Sequence, residues 1–347
     1  MRRLLTILIA LASLGLLALL LFVRLGSWAP QWWLDSLDTF ALYAFLPFVG
    51  TLVFALVLRS RMVTIVAVGA VVLFALQFGA QAVGSLGTFG SVAAEAASPS
   101  PSLRVLTLNV HASYDDPEPL AELLAGWRPD VVSLQEVSSQ FAEAMQEAIG
   151  DDYRFSFAAG LETEHAGSAT WSRLPLGGAE EIRLSDHGNI LHRVRVSTAA
   201  ADVWIYNVHL SNPTGQDNGQ GRLLALRRFS GDRRDPELDR LIDQTSSLGE
   251  PFVLAGDFNT AAGSRAYRRL PDGWRDAFAE AGRGFGHTYP APAHEQEGDD
   301  WLKIPFPLLR IDYILTSPEL RPRRAWTAEV LGSDHFAVIA DIGLPAR

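Results

Sequence analysis

The chain has 347 residues, 48% of them hydrophobic and only 20% charged, with a formal net charge of −10 and no cysteine. These values exclude a disordered chain, a disulfide-stapled mini-protein, a cysteine-ligated zinc or iron–sulfur protein and a thiol enzyme. The averages conceal a division: residues 1–102 hold five basic and three acidic side chains, and the remainder holds 24 basic and 36 acidic ones. The second part is acidic and carries one lysine, Lys303, which argues against charge-driven binding along a nucleic-acid backbone.

Three uncharged apolar runs open the chain, at 4–23, 40–58 and 62–80, each about 20 residues long. A helix rising about 1.5 Å per residue crosses a hydrocarbon core of about 30 Å with that length. Residues 1–80 therefore read as a three-span membrane anchor. Arg2 and Arg3 before the first run, and Arg59 and Arg61 between the second and third, place those ends in the cytoplasm by the positive-inside rule. The N-terminus is then cytoplasmic and everything after residue 80 is extracytoplasmic. Arg24 dissents, in an outer loop with Asp35, Asp38 and the interfacial aromatics Trp28, Trp32 and Trp33. Met1-Arg2-Arg3 also fits the start of a cleaved signal peptide. Cleavage would leave an out-in-out hairpin and the same location for the rest.

Residues 81–102 shift to Gly, Ala, Ser and Pro and read as a tether. As a flexible coil it has an end-to-end distance of about 25 Å, which keeps the following domain near the membrane surface.

Residues 103–347 read as one domain without an internal repeat. Strand-like runs fall at 103–109, 130–135, 190–197, 202–210, 251–255, 310–316 and 336–342. A helical pattern over 117–127 puts Leu120, Leu123, Leu124 and Trp127 on one face, with Asp115 and Asp116 as capping residues and Pro117 in the first turn. Strands interleaved with helices predict an α/β (α+β) layered domain.

Six strand ends carry the chemistry: Leu108-Asn109-Val110-His111, Leu134-Gln135-Glu136-Val137, Asn207-Val208-His209, Gly256-Asp257-Phe258-Asn259, Arg310-Ile311-Asp312-Tyr313 and Ser333-Asp334-His335. Apolar strands that each deliver an Asn, Asp, Glu or His at one end describe a site assembled at the edge of a sheet sandwich.

With the motifs LNV, QEV, GDFN, RIDY and SDH in this order, the sequence resembles the endonuclease/exonuclease/phosphatase superfamily. These are divalent-metal phosphoesterases that include DNase I-like nucleases, inositol phosphatases and neutral sphingomyelinases. The resemblance covers about residues 103–347 and implies a four-layer α/β/β/α sandwich with the active site at one end of both sheets. Three spans before an outward-facing catalytic domain look similar to bacterial membrane proteins associated with glycopeptide (vancomycin or teicoplanin) resistance.

Phosphate ester hydrolysis adds negative charge to a phosphoryl group as water attacks, so the site needs a cation, an acceptor for water and a group for the leaving oxygen. Oxygen-rich ligands without cysteine favour Mg²⁺ or Mn²⁺. Glu136 is the first candidate for the metal carboxylate, with Asn109 beside it and Asp334 completing the shell or acting through water. Asp257 and Asn259 share a face if their segment is extended. The family pattern gives Asp257 the activation of water and Asn259 the binding of phosphate. His335 suits acid/base work or transition-state stabilisation, and the resemblance pairs it with Asp312. His209 corresponds to the second active-site histidine of the family, contacting phosphate or protonating the leaving group.

A Ser333-Asp334-His335 hydrolase triad is excluded because consecutive residues in extended chain point apart, and no G-x-S-x-G elbow is present. His165, His187, His192 and His294 read as solvent-exposed or structural. His111 departs from the acidic residue of abasic-site nucleases. The loop from His287 to Tyr289, with residues 301–309, is a candidate substrate side, where Trp301, Ile304, Phe306 and Leu308 either pack internally or face lipid or an apolar tail. Arginines at 222–234 and 321–324 are broken by acids in the first case and read as a solvated face.

The expected function is an extracytoplasmic, membrane-anchored phosphohydrolase, acting on a lipid-linked phosphate or pyrophosphate such as an undecaprenyl carrier. An extracellular nuclease and a non-catalytic sensing module with the same fold are the alternatives. The bilayer is the expected partner and nucleic acid is not.

Overall fold

The computed structural model describes residues 2–26, 31–86, 101–112, 115–161, 167–186, 188–214, 229–292 and 305–345. The first apolar run forms α1 (Arg2–Leu25) and the third α4 (Arg61–Leu86), both long and apolar enough to cross a membrane. The second differs from expectation. A polar-faced helix, α2 (Trp32–Thr39), precedes it, and the run then makes a short turn at Tyr43–Phe45 before entering α3 (Leu46–Leu58). The two helical pieces, Trp32–Thr39 and Tyr43–Leu58, are bent by 87°. Pro47 stands in the first turn of α3, where its missing N–H breaks no helical bond, so it marks a helix start within the apolar run. With 13 residues α3 rises only about 20 Å, and a third span exists only if the bent pair serves as one. Small and polar residues let these helices approach: Ser13 Oγ and Thr51 Oγ1 lie 2.9 Å apart between α1 and α3, and Ala10, Ala55 and Val63 pack together. The predicted tether begins later than residue 81, because α4 continues to Leu86; residues 87–100 lie outside the described residues.

The remaining elements are β1 (Ser102–Asn109), α5 (Glu118–Trp127), β2 (Val131–Val137), α6 (Ser139–Ile149), β3 (Phe155–Ala159), β4 (Gly167–Ser172), β5 (Leu176–Arg183), β6 (Ile190–Ser197), β7 (Asp202–His209) and α7 (Arg234–Ser246). They are followed by β8 (Phe252–Asp257), β9 (Arg275–Asp276), α8 (Ala277–Ala281), β10 (Asp312–Thr316), β11 (Arg321–Glu329) and β12 (Phe336–Gly343). Two six-stranded sheets result, in the orders β11-β12-β1-β2-β4-β3 and β5-β6-β7-β8-β10-β9. Each has one parallel pair at its centre, β1/β2 and β7/β8, flanked by antiparallel neighbours. Parallel neighbours need a crossover, and α5 and α7 lie in those two connections.

Alternation along the strands builds the layers. Leu106 and Leu108 of β1 face α5 and α6, with Leu120, Leu124, Phe141 and Met145 in the same cluster. Tyr206 and Val208 of β7 and Leu254 of β8 pack against Leu238 and Leu241 of α7. Between the sheets lie Leu103, Val105, Val131, Val203, Ile205, Val253, Ala255 and Ile314. This is the four-layer α/β/β/α sandwich.

The inner faces are graded. Along β1 the inward positions run Leu103, Val105, Thr107, Asn109; along β7 Val203, Ile205, Asn207, His209; along β8 Val253, Ala255, Asp257. One end of the sandwich is hydrocarbon and the other is amide, imidazole and carboxylate. A polar tie separates the two: Gln135 Nε2 donates to Asn207 Oδ1 of the other sheet at 2.7 Å and to Thr107 Oγ1 of the neighbouring strand at 3.1 Å. Asn207 Nδ2 in turn donates to the carbonyls of Leu134 and Ala169. His192, read from sequence as exposed or structural, is fully buried within this layer between Ser168 Oγ and Thr170 Oγ1, and burial pushes its pKa down to about 3, so it is neutral.

Candidate active site

Four strand ends from the two parallel pairs converge. Asn109 ends β1, and its Nδ2 donates to Glu136 Oε1 at 3.0 Å and to Asp257 Oδ2 at 3.1 Å, joining the sheets. Glu136 sits in a β-bulge of β2: register with β4 passes from Gln135 to Val137 and skips it, and its φ is +56°. An extra residue at a bulge re-aims its side chain and terminates regular pairing. Here the bulge keeps Gln135 on the inner face and turns Glu136 over the strand end, where Oε2 accepts from the N–H of Ala112.

His209 ends β7 opposite Asp257 in the parallel ladder. Its Nε2 is 3.7 Å from Glu136 Oε1 and 3.9 Å from Asp257 Oδ2. Asp257 ends β8 after Gly256, where any Cβ would lie 1.8 Å from the Val208 carbonyl oxygen, so only glycine allows the two strands to approach there. Asp312 begins β10 directly opposite Asp257. His335 precedes β12, with Nδ1 2.8 Å from Asp312 Oδ2 and Nε2 3.9 Å from both Asp257 Oδ2 and Asp334 Oδ1. Ser333, the serine of the rejected triad, donates Oγ to the Asn109 carbonyl at 2.6 Å and accepts from the N–H of His335, which fixes this loop against β1. The Tyr289 ring lies over His335, with centroids 4.9 Å apart.

All eight sequence-derived residues thus form one connected cluster, with two differences in detail. Asn259 is not on an extended segment: its φ is +47° and its N–H turns back to Asp257 Oδ1 at 2.8 Å. It still meets Asp257, but by an Asx-type turn, and its amide also donates to the Leu210 carbonyl. Asn109 presents its NH₂ group to the two carboxylates, while its oxygen accepts from the N–H of His111.

The electrostatics follow from crowding. Burial and the neighbouring Asp312 carboxylate push Asp257 up to about 6, against the pull of His335 and His209. Burial would lower His335, but Asp312, Asp334 and Asp257 outweigh it and hold the ring charged well above its ordinary range. Burial likewise raises Glu136, yet the His209 ring, the Asn109 bond and His335 overcome it and leave the carboxyl below its usual value.

The donor set fits a hard divalent cation. Buried Oδ1 atoms of Asp312 and Asp334 have no hydrogen-bond partner among the described residues, and carboxylate oxygens of Asp257, Asp312 and Asp334 all lie within 3.9 Å of a His335 ring nitrogen. Ligand atoms of Asp257, Asp312 and His335 lie within 4.8 Å of one another. That trio differs from the set Glu136, Asn109 and Asp334 expected from sequence. The short Asp312–His335 bond makes those two an acid–imidazole pair.

Two arginines support the site from buried positions: Arg310 from within the RIDY motif, and Arg234 from the end of the run read as a solvated face. Arg234, buried on α7, donates to the Asn259 carbonyl at 2.9 Å. Arg310 of the RIDY motif is buried, donates to both Asp276 oxygens at 2.8 and 2.7 Å, and lies against the ring of Tyr313. Gln135 and Asn207 were legible in principle, since each stands two residues before or beside a site residue on an inward face. His165, His187, His294, Trp301, Ile304 and the arginines at 222, 227 and 228 lie outside the described residues.

Among curated proteins, none matches this chain. Solved structures do: an endonuclease/exonuclease/phosphatase family protein from Leptotrichia buccalis C-1013-b is 20% identical with a TM-score of 0.53, covering 70% of this chain and 100% of that one. Truncated TDP2 from Caenorhabditis elegans is 18% identical with a TM-score of 0.54, covering 70% and 98%. A family protein from Bacteroides thetaiotaomicron is 16% identical at 0.53, covering 71% and 99%. At these identities the likeness is one of fold. The model of the Endonuclease/Exonuclease/phosphatase family matches residues 106–335, the span from β1 to His335 that carries all eight candidate site residues, and the chain belongs to that family.

Proposed function

We propose that the protein is a membrane-anchored, divalent-metal-dependent phosphohydrolase acting outside the cytoplasmic membrane on a lipid-linked phosphate or pyrophosphate, such as an undecaprenyl carrier, in a role linked to glycopeptide resistance. Family enzymes are typically metal-dependent phosphoesterases or nucleases, so hydrolysis at phosphorus is the common ground. The observation that carries the finer reading is the convergence of Glu136, Asp257, Asp312, His209 and His335 at one edge of the sandwich, in a chain whose N-terminal helices are apolar enough to cross a membrane.

Glu136 and Asp334, with Asn109, hold Mg²⁺ or Mn²⁺, which supplies positive charge to the phosphoryl oxygens when bound. Asp257, raised to about 6, is ionised at neutral pH and still basic enough to accept the proton of an attacking water. Asn259 orients Asp257 from the side and offers its amide edge to phosphate. His335, kept charged by Asp312, directs its Nε2–H into the space beside Asp257 and stabilises the negative charge that grows on the phosphoryl group. His209 stands at the Glu136 side and serves the leaving oxygen.

The test is phosphate release from polyprenyl pyrophosphate in Mg²⁺ by the full chain in detergent. Loss of release in Glu136→Ala and in His335→Ala supports the mechanism, and release that survives both overturns it. A D. rerio TDP2 structure with 17% identity is complexed with a single-strand DNA product, so plasmid and single-stranded DNA belong in the same panel. Rapid nicking would make the protein a nuclease.

A further inference from the structure

The stretch between the first two apolar helices does not hang free of the catalytic domain. Asp38 of α2 is buried, accepts from the N–H of Arg265, and pairs with Arg268 Nη1 at 3.5 Å. Arg24 at the end of α1 donates to the Gly263 carbonyl at 3.2 Å, and its own carbonyl accepts from Arg268 at 3.4 Å. Tyr43 donates its hydroxyl to the Leu308 carbonyl at 2.7 Å, with its ring near His287. Asp35, also buried on α2, lies in the field of Arg265 and Arg234, and Arg234 holds the Asn259 carbonyl.

The segments that receive these contacts are the ones that carry or touch the active site. Residues 261–268 follow Asn259, residues 308–310 lead into Asp312, and His287 is two residues before the Tyr289 ring that covers His335. The catalytic domain exposes few large apolar side chains among its described residues, namely Phe155, Phe306 and Leu331. Two of these, Phe306 at 57% and Leu331 at 64% exposure, stand two residues before Leu308 of the Tyr43 contact and two before Ser333 of the Ser333–His335 loop, and the anchor segment itself exposes Trp32 and Trp33. An exposed apolar side chain next to the contact made by a membrane-anchored segment belongs at a lipid surface.

We propose that Arg24 and residues 31–43 form a docking strap that holds the catalytic site against the bilayer carrying its own anchor, so that the enzyme selects phosphate headgroups presented by that membrane over phosphate esters in solution. Asp38 and Tyr43 are positioning residues of this strap, and Phe306 and Leu331 enter the interfacial layer. The inference deepens the proposed function and rests on it for the nature of the reaction.

The full chain is reconstituted in phosphatidylcholine vesicles carrying undecaprenyl pyrophosphate, and bis(4-nitrophenyl) phosphate is supplied as the soluble substrate. The expected result is that Asp38→Ala and the milder Tyr43→Phe lower turnover of the vesicle-borne substrate by about tenfold or more, the loss of an effective-concentration advantage, with the soluble rate within about twofold of wild type. Equal loss on both substrates, or on neither, overturns the proposal. The chain has no native cysteine, so a Tyr43→Cys, Leu308→Cys pair joined by a short bismaleimide in vesicles reports docking without any substrate. Cross-linking supports the strap, and failure to cross-link overturns it. Should wild type hydrolyse neither phosphate ester, the functional reading falls while the cross-link still decides the strap.

Discussion

His335 and Asp312 form a buried pair, Nδ1 to Oδ2 at 2.8 Å, in which the second carboxylate oxygen has no partner among the described residues. The carboxylate therefore has two consequences for the ring: it fixes its orientation and it raises its proton affinity.

Asp312→Asn keeps the shape and removes the charge. Activity should fall by about 10²- to 10⁴-fold, and the alkaline limb of the pH–rate profile should move to lower pH, because His335 no longer has its largest charged supporter. A pH–rate profile of wild type and variant checks both. An unchanged alkaline limb would assign that limb to another group.

Asp257 predicts the opposite trade between activity and stability. Its folded pKa, about 6, lies above its ordinary 3.8, so the folded state favours the protonated form. The stability this gives is complete below about pH 4 and is lost as pH rises to about 6, leaving a penalty on the order of 1–3 kcal/mol at neutral pH. Asp257→Asn should raise the melting temperature at pH 8 in EDTA, leave it nearly unchanged at pH 4, and abolish hydrolysis. Thermal unfolding at the two pH values reads the difference, and a lower melting point at pH 8 would contradict it.

Asp276 predicts a purely structural loss. It accepts from Arg310 Nη1, from the Tyr267 hydroxyl at 2.6 Å and from the N–H of Ala279. Asp276→Ala strands a buried guanidinium two residues from Asp312 and should cost about 3–5 kcal/mol. The double variant Asp276→Ala, Arg310→Met should recover part of that stability. Urea unfolding of the three proteins measures it, and no recovery would mean that the charge is not the source.

Much of the catalytic domain was legible because its strands state their own ends. In β1 and β7 the inward positions change from aliphatic to polar one residue pair before the strand stops, and in β8 at its last residue, so the alternation marks both the sheet face and the site. The strands that escaped lack that signal: β4 reads Gly-Ser-Ala-Thr-Trp-Ser, wholly buried without an aliphatic run, and β5 is mostly exposed. Backbone irregularity also escaped, since neither the bulge at Glu136 nor the turn at Asn259 follows from residue type. The bent second helix escaped because an apolar count over 40–58 registers length and composition and not the interruption before Pro47. Asp35, Asp38 and Arg24 read as outer-loop charges, and their partners Arg265 and Arg268 stand more than 200 positions away, beyond any local pattern.

The two sheets contribute the site in halves. Asn109, Glu136 and His335 stand on or beside one, and His209, Asp257 and Asp312 on the other. The candidate site therefore straddles a seam that the chain never crosses with a covalent bond at that level. Any slip of one sheet over the other translates directly into a change of distance between His335 and Asp257. The amide clasp from Gln135 to Asn207 and the Asn109 bond to Asp257 resist that slip at the polar end, while the aliphatic layer from Leu103 to Val253 sets the gap at the other. A methylene gained or lost far down in that layer would thus be felt at the phosphate as an error of alignment, and residues that touch no substrate are part of the instrument that aims it.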